Sequence, residues 1–197
     1  MHEHITPLRC GHTICYLVTG SSGSLLVDTG FAGSLGELGS QLKMHGLDLR
    51  CTGYLLVTHF HPDHMGIAQD LIDLGVTLLL PSCQAPFVHQ PDRMYAHDHN
   101  RAFRPIREEA ACRLEPDDSR EFLSIRCGID GQVVQTPGHS PDSISLVLDS
   151  GDAFVGDLCP FGQVDLYGDA RMESSWERLL GLGVSVVHFA HWPDDRI

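Results

Sequence analysis

One stretch of the chain sets the main constraint on its fold: residues 53–66, which read GYLLVTHFHPDHMG. Its first part is a continuous apolar run of the kind that forms a strand buried on both faces of a sheet. The chain must therefore supply a packed layer on each side of that sheet. Directly after the strand come three histidines and an aspartate, all within six positions. These are side chains that bind metal ions, so the strand and its polar end are best interpreted together.

Apolar runs and turn residues along the chain predict the other elements. TICYLVTG and SLLVDTG flank SSG and predict a hairpin. GSLGELGSQLKMHG and GIAQDLIDLG are spaced as helices, and VTLLLP predicts another buried strand. Later come QVVQTPGH, SISLVLDSGDAFVGD, a helix near ARMESSWERLLGLG and a last strand, SVVHFA. Strands that alternate with helices, together with hairpins, predict one layered α/β domain with mixed sheets over residues 1–197.

The segment 81–120 differs from its surroundings. It is rich in Pro, Arg, His and acidic residues and has little periodicity, so we expect an insertion or lid. Its aromatic residues Phe87, Tyr95 and Phe103 could line an apolar pocket or pack the segment against the core, and packing is the prediction. The tract HDH at 97–99 resembles a metal-binding pair, but without a partner motif it is expected at the surface.

Composition limits the function. The formal net charge of −13 argues against a nucleic-acid partner, which requires a basic surface, and against an anionic membrane surface. The longest apolar runs are of strand length, and the N-terminus resembles no secretory signal. Seven scattered cysteines without a CxxC pair fit reduced thiols in the cytoplasm. Histidines, at 13, equal Lys and Arg together, which favours a search for metal.

The histidine-rich motif has the geometry of a ligand loop. His59 and His61 are two apart, so on an extended segment their side chains share a face. Pro62 disfavours helix at the residue before it, so the chain should leave the strand as a loop. Asp63 and His64 then stand where a helix would begin. Imidazole and carboxylate together suit zinc or another divalent first-row metal. The alternative interpretation of this motif is a polar turn whose histidines only cap a helix.

The same kind of residue follows other predicted strands. Asp28, His139, Asp157 and His191 each come directly after an apolar run or its turn. Residues at strand ends gather at one edge of a sheet, where α/β folds bind ligands. Each of these residues alone could be an ordinary turn or loop residue. Their recurrence together with the histidine motif predicts a shared metal site.

This order of motifs, HxHxDH, a later His, Asp and His, with an Asp upstream, resembles the metallo-β-lactamase superfamily. The resemblance runs from about Thr13 to Pro193. It implies an α/β (α+β) four-layer αββα sandwich of two mixed β-sheets flanked by helices, with a two-metal site at one edge. The implied ligands are His59, His61 and His139 for the first metal, Asp63, His64 and His191 for the second, Asp157 as the bridge, and Asp28 as support behind the ligands.

One departure from the family pattern leaves a choice open. The closing motif usually reads Gly-His-Gly, but here it is Ala-His191-Trp, and His188 lies three residues earlier. Either histidine could be the last ligand, and His191 is preferred because it follows the strand directly. Cys159 lies near Asp157, but Asp157 itself occupies the carboxylate position, so Cys159 is expected to be a bystander. His61 stands where flavodiiron proteins carry Glu, which argues against oxygen reduction at two irons.

The resemblance also implies a chemistry. A hydroxide that bridges two zinc ions would attack the carbonyl of a small thioester, lactone or lactam. Asp63 and Asp157 would be the catalytic residues. Fe or Mn could take the place of zinc. The alternative is a mononuclear non-haem iron oxygenase of the persulfide dioxygenase type, with His59, His139 and Asp157 as its facial triad. The expected partner is a small-molecule substrate, and the chain is expected to be a monomer or homodimer.

Four arginines give residues 93–107 a local positive charge in an acidic protein. Arg93, Arg101, Arg104 and Arg107 could grip a substrate carboxylate, and the first three are the candidates for substrate binding. They could instead pair with Asp98, Glu108 and Glu109 on a solvated face. Ion pairing on a solvated face is the preferred interpretation.

Overall fold

The structure is a computed structural model that describes residues 3–97 and 100–197. Of the HDH tract at 97–99, Asp98 and His99 therefore lie outside the described residues. The first sheet has six strands in the order β1 to β6, and they are His4–Cys10, Thr13–Thr19, Ser24–Val27, Tyr54–Leu56, Thr77–Pro81 and Cys112–Leu114. The second sheet has the order β11-β10-β9-β8-β7, and from β7 to β11 its strands are Gly131–Gln135, Ile144–Leu148, Asp152–Gly156, Val186–Phe189 and Asp195–Arg196.

Both sheets are mixed. In the first sheet, β1, β2 and β3 pair antiparallel, and β3 to β6 pair in parallel. In the second sheet, β9 and β10 pair in parallel and the other pairs are antiparallel. The helices are α1 Leu35–Met44, α2 Pro62–Met65, α3 Ala68–Asp73, α4 Asp92–His97, α5 Ser119–Cys127, α6 Val164–Tyr167 and α7 Ala170–Gly181.

Three apolar clusters define four layers. Helices α1 and α3 pack against one face of the first sheet, with Leu38 and Leu71 among the fully buried residues. The two sheets face each other through a second cluster that joins Val27 and Leu56 to Phe154. Helix α7 covers the outer face of the second sheet through Met172, Trp176 and Leu179. The predicted αββα sandwich is therefore confirmed, and its strands are buried on both faces because a layer lies on each side.

Some local predictions differ from the structure. Strand β1 was not predicted; it alternates buried and exposed residues at the edge of the first sheet, where Pro7 is tolerated. The helix expected near GIAQDLIDLG is preceded by the single turn α2, which carries two of the candidate ligands. In the segment 81–120, Tyr95 stacks on Phe103 with ring centroids 4.0 Å apart, and both pack on the core, as predicted. A lid role for that segment stays a prediction.

Among the residues that the structure describes, no helix combines the length and the apolar character needed to cross a bilayer. The helices that it does describe have at most 12 residues.

Gly66 fixes how closely the ligand loop approaches its neighbour. A Cβ at this position would lie 2.7 Å from the carbonyl oxygen of Gly30 and closer still to the backbone of Phe31 and Ala32. The Gly66 amide also donates to Gly30 O at 3.1 Å. Backbone cannot move aside as a flexible side chain can, so only glycine fits here.

We expect Gly66→Ala to lower the free energy of unfolding by about 3 kcal/mol, the upper end of the range for overpacking. Gly36→Ala in α1 is the matched control, because a Cβ there meets nothing within 4 Å. The control should stabilise the helix by up to about 1 kcal/mol. Urea unfolding of both variants measures the difference; equal stabilities would contradict the close packing described here.

Candidate metal centre

The candidate ligands meet where loops from both sheets converge. After β4 the chain runs through His59 to His61, whose φ of −92° and ψ of 154° are extended, as expected before a proline. Pro62 then opens α2, a position where its missing N–H costs nothing. Asp63 and His64 consequently lie in one helical turn beside the histidine loop. His139, Asp157 and His191 follow β7, β9 and β10 of the second sheet.

Three imidazoles form a first group. His59 Nε2 and His139 Nε2 each lie 3.0 Å from His61 Nδ1. The ligand atoms of the three side chains lie within 4.8 Å of one another. Three nitrogens that converge in this way match the histidine ligands of a zinc or other first-row metal site.

A second group lies beside the first. It consists of Asp63, His64 and His191, with His191 Nε2 3.0 Å from Asp63 Oδ2. Asp157 stands between the groups: its Oδ1 lies 3.3 Å from His64 Nε2, and its Oδ2 lies 3.5 Å from His139 Nε2. Each carboxylate oxygen therefore faces a different group, which is the position that a bridging ligand needs.

The far side of several imidazoles is held by an oxygen. His64 Nδ1 lies 2.9 Å from Asp28 Oδ2, and His191 Nδ1 lies 3.0 Å from the carbonyl oxygen of His12. His59 Nδ1 lies 3.2 Å from Thr58 Oγ1. The carboxylate and the carbonyl can only accept, so Nδ1 donates to them and Nε2 faces the site.

Asp28 supports this arrangement from the side of His64 that faces away from the other ligands. It is buried and adopts a φ of 62°, which aspartate tolerates better than most residues. Its Oδ1 accepts from Thr58 N at 2.6 Å and its Oδ2 accepts from Thr58 Oγ1 at 2.7 Å. Asp28 therefore contacts His64 and the residue before His59, the place expected for a residue that orients ligands.

The electrostatics of the site favour a cation. Burial lowers the pKa of His59 well below its usual value, and burial also lowers the pKa of His139. Both imidazoles are therefore neutral and can offer a lone pair to a metal ion. Burial alone would raise the pKa of Asp63, but its hydrogen bond to His191 and the nearby His64 lower it to about 2. Burial likewise opposes charge on His64, yet Asp28 and Asp157 raise its pKa to about 10. Without metal, the proton on the His64 imidazole thus balances part of the negative charge of the carboxylates.

Two buried atoms test whether a metal fits. His64 Nε2 and Asp157 Oδ1 are inaccessible to water and make no hydrogen bond of acceptable geometry, although they lie 3.3 Å apart. Buried polar atoms normally have partners, because an unpaired one costs about 1–3 kcal/mol. Both atoms belong to the overlapping ligand groups. The donor set and these two atoms fit divalent metal.

His188 has a different environment from His191. It is 7% exposed and lies between two carboxylates, with Nδ1 2.8 Å from Asp194 Oδ2 and Nε2 2.9 Å from Asp152 Oδ1. Its ring stacks on Phe154 with centroids 4.7 Å apart. Both its nitrogens are therefore engaged away from the ligand groups, whereas His191 joins one of them. The geometry favours His191 as the last ligand.

The other candidates lie outside the ligand groups. Arg104 is exposed and pairs with Asp70 at 3.4 Å and with Asp73 at 2.5 Å. Ion pairing was one of the two predicted roles, but these partners are not the acidic residues that the sequence suggested. Arg93 and Arg101 are both exposed, and substrate binding by the arginines stays a prediction. Cys159 is buried, with its sulfur beside that of Met172 and its carbonyl oxygen accepting from the Trp176 indole.

Sequence reasoning missed three polar residues behind the ligands. Thr58, Gln84 and Asp142 are all buried and hydrogen-bonded to the ligand loops. Thr58 and Asp142 lie close to candidate ligands in sequence, which was a signal of a supporting role. Gln84 lies in the 81–120 segment, and nothing in its sequence context marks it.

Comparisons with known proteins identify the family of this chain. The profile of the metallo-beta-lactamase superfamily matches residues 8–191. The lactamase-like protein vrtG of Penicillium aethiopicum is 30% identical over 183 residues, which are 91% of this chain and 51% of that protein. The atrochrysone carboxyl ACP thioesterase of Aspergillus fumigatus is 29% identical over 150 residues, 74% of this chain and 29% of that protein.

A solved structure extends the likeness to nearly the whole chain. The protein TTHA1623 in a di-iron-bound form has a TM-score of 0.72 and 27% identity, over 98% of this chain and 94% of that chain. The fold and the family match together define the class of protein. This chain belongs to the metallo-beta-lactamase superfamily. It spans about half of the vrtG protein and less than a third of the thioesterase.

We expect His191→Ala to lose one of two metal ions per chain after dialysis, because the group with Asp63 and His64 would be left incomplete. His188→Ala should keep both ions and instead lower the free energy of unfolding by about 3 kcal/mol. This value is the lower end of the range for breaking a buried ion pair, because the partner Asp194 is 49% exposed. Elemental analysis and urea unfolding of both variants separate the two effects. Metal loss in His188→Ala alone would reverse the assignment.

Proposed function

We propose that this protein is a hydrolase that uses two divalent metal ions, most readily zinc, to cleave a small ester-like substrate. The observation that carries this proposal is the convergence of seven donors in overlapping groups, with the two oxygens of Asp157 facing different groups. A mononuclear iron oxygenase would need only three of these donors. It would leave His61, Asp63, His64 and His191 without a role.

The residues would divide the work as follows. His59, His61 and His139 would hold one ion, Asp63, His64 and His191 the other, and Asp157 both. Bound divalent ions supply Lewis acidity and lower the pKa of coordinated water towards neutrality. Asp63, whose pKa lies near 2, stays ionised at neutral pH and offers a second oxygen to orient a nucleophile. Neutral His59 and His139 keep their lone pairs on the site side.

A thioester is the first substrate class to test. One relative is described as an acyl-carrier-protein thioesterase, and thioesters, lactones and lactams share a carbonyl that becomes negatively charged during attack. The net charge of −13 disfavours polyanionic substrates, including nucleic acid. We therefore propose a small-molecule substrate, without a nucleic-acid or membrane partner, and a monomer or homodimer.

The cysteines support a reducing compartment. The free thiols include Cys51 at the surface and Cys10 and Cys15 in the core. Exposed free thiols are usual in the cytoplasm and uncommon in oxidising compartments. We propose the cytoplasm as the location.

Elemental analysis of protein expressed without added metal is expected to find close to two ions per chain, with zinc dominant. Chelation should abolish turnover of a thioester, lactone and lactam panel, and zinc should restore it. A single tightly bound iron, together with oxygen consumption on a persulfide, would replace the hydrolase proposal with the oxygenase.

Asp157→Asn is expected to lose metal and to slow hydrolysis by roughly 100-fold or more, as when a charge-stabilising group is removed. The variant keeps the side-chain shape but removes the charge that faces both ligand groups. Asp165→Asn in α6 is the matched control, because it makes the same change on an exposed helix. Normal metal content and turnover in Asp157→Asn would show that the bridging residue is misplaced.

A further inference from the structure

A second buried carboxylate lies behind the three-histidine group. Asp142 is 2% exposed, and its Oδ2 accepts from the backbone amide of Phe60 at 2.7 Å. Phe60 stands between His59 and His61, so this bond holds the backbone that carries both imidazoles. The bond crosses between the two halves of the site, because Asp142 follows β7 of the second sheet while Phe60 follows β4 of the first.

The other oxygen of Asp142 holds the third histidine loop. Its Oδ1 accepts from Ser140 Oγ at 2.7 Å, and Ser140 directly follows His139. Ser143 Oγ lies 2.8 Å from Ser140 Oγ and closes the turn. One carboxylate therefore hydrogen-bonds to both loops that supply the three-histidine group. A shift of either loop would have to break a buried, charge-assisted hydrogen bond, which is roughly twice as strong as a neutral one.

Gln84 completes the connection from a third segment. Its buried Nε2 lies 3.0 Å from the carbonyl oxygens of Val57 and Asp142 and 3.1 Å from that of Thr58. The amide thus joins the end of β4 to the loop that contains Asp142. Ile144 N adds a further bond to Thr58 O at 2.9 Å. The two ligand loops are held in register by buried polar groups, which are costly to rearrange.

We propose that Asp142 is a positioning residue that sets the geometry and the metal affinity of the group His59, His61 and His139. It would do for this group what Asp28 does for His64. The inference rests on the proposed metal site, but it concerns binding and not turnover. Two physical effects contribute: the carboxylate fixes the spacing of the two loops, and its buried negative charge attracts a cation held by the three imidazoles.

A purely structural role makes a different prediction. If Asp142 only stabilised the fold, its replacement would lower the free energy of unfolding and leave the metal affinity of the folded protein unchanged. A positioning role lowers the affinity of the folded protein itself. Metal affinity and the absorption spectrum of bound Co²⁺ report on the ligands directly, so they separate the two roles without any substrate.

The test is Asp142→Asn in a His191→Ala background, where the second ligand group is incomplete. In this variant an NH₂ group replaces one acceptor oxygen, so either the Phe60 amide or the Ser140 hydroxyl loses its acceptor, and the charge disappears. Competition with a chromophoric chelator should show zinc binding weakened by roughly 10–100-fold, the usual effect of removing a group behind a ligand. The Co²⁺ spectrum should change in shape and not only in intensity.

The matched control is Asp152→Asn in the same background. Asp152 also loses bonds within the fold, to Ser150 and His188, but it has no hydrogen bond to His59, His61 or His139. It should cost stability and leave zinc affinity and the Co²⁺ spectrum unchanged. Equal zinc affinity in folded Asp142→Asn and in the His191→Ala parent would overturn the proposal.

A milder variant keeps the proposal testable if Asp142→Asn does not fold. Ser140→Ala removes only the hydroxyl that donates to Oδ1 and should weaken zinc binding several-fold, whereas an unchanged affinity would overturn the proposal. Because affinity is measured without substrate, an absence of hydrolysis would count against the proposed function and not against this role of Asp142.

Discussion

The buried carboxylate of Asp28 is the interaction on which the metal centre most depends. It lies at the end of β3 in a left-handed conformation and accepts from the Thr58 amide, the Thr58 hydroxyl and the His64 ring. Each of these contacts satisfies a buried polar group that would otherwise be costly. The end of β4 and the helix that carries His64 are therefore fixed relative to each other before any metal arrives.

Much of the fold followed from patterns in the sequence, because short continuous apolar runs between turn residues favour strands covered on both faces. The clustering of His59, His139, Asp157 and His191 also followed, since loops at strand ends meet at one edge of a sheet. Strand β1 was less visible, because an edge strand with a proline and alternating burial carries a weak signal. Helix α2 was hidden by its length of one turn.

The supporting residues were harder to predict, for a physical reason. Asp142 and Gln84 differ from surface Asp and Gln only in burial and partners, and both properties depend on how distant segments pack. The choice between His188 and His191 also required three dimensions. His188 lies within β10 and His191 just beyond it, but one ring is enclosed by Asp152 and Asp194 whereas the other faces Asp63.

The seven donors are divided between loops of the two sheets, so metal ions bound by them would join the sheets. The donors from His59 to His64 follow β4 of the first sheet, while His139, Asp157 and His191 follow β7, β9 and β10 of the second. A bound ion would thus act as a removable cross-link between two halves of the chain that are far apart in sequence, and it would close long loops at one point. Metal availability during synthesis would then influence when the two sheets pack together. The ion would thus contribute to a late folding step as well as to catalysis.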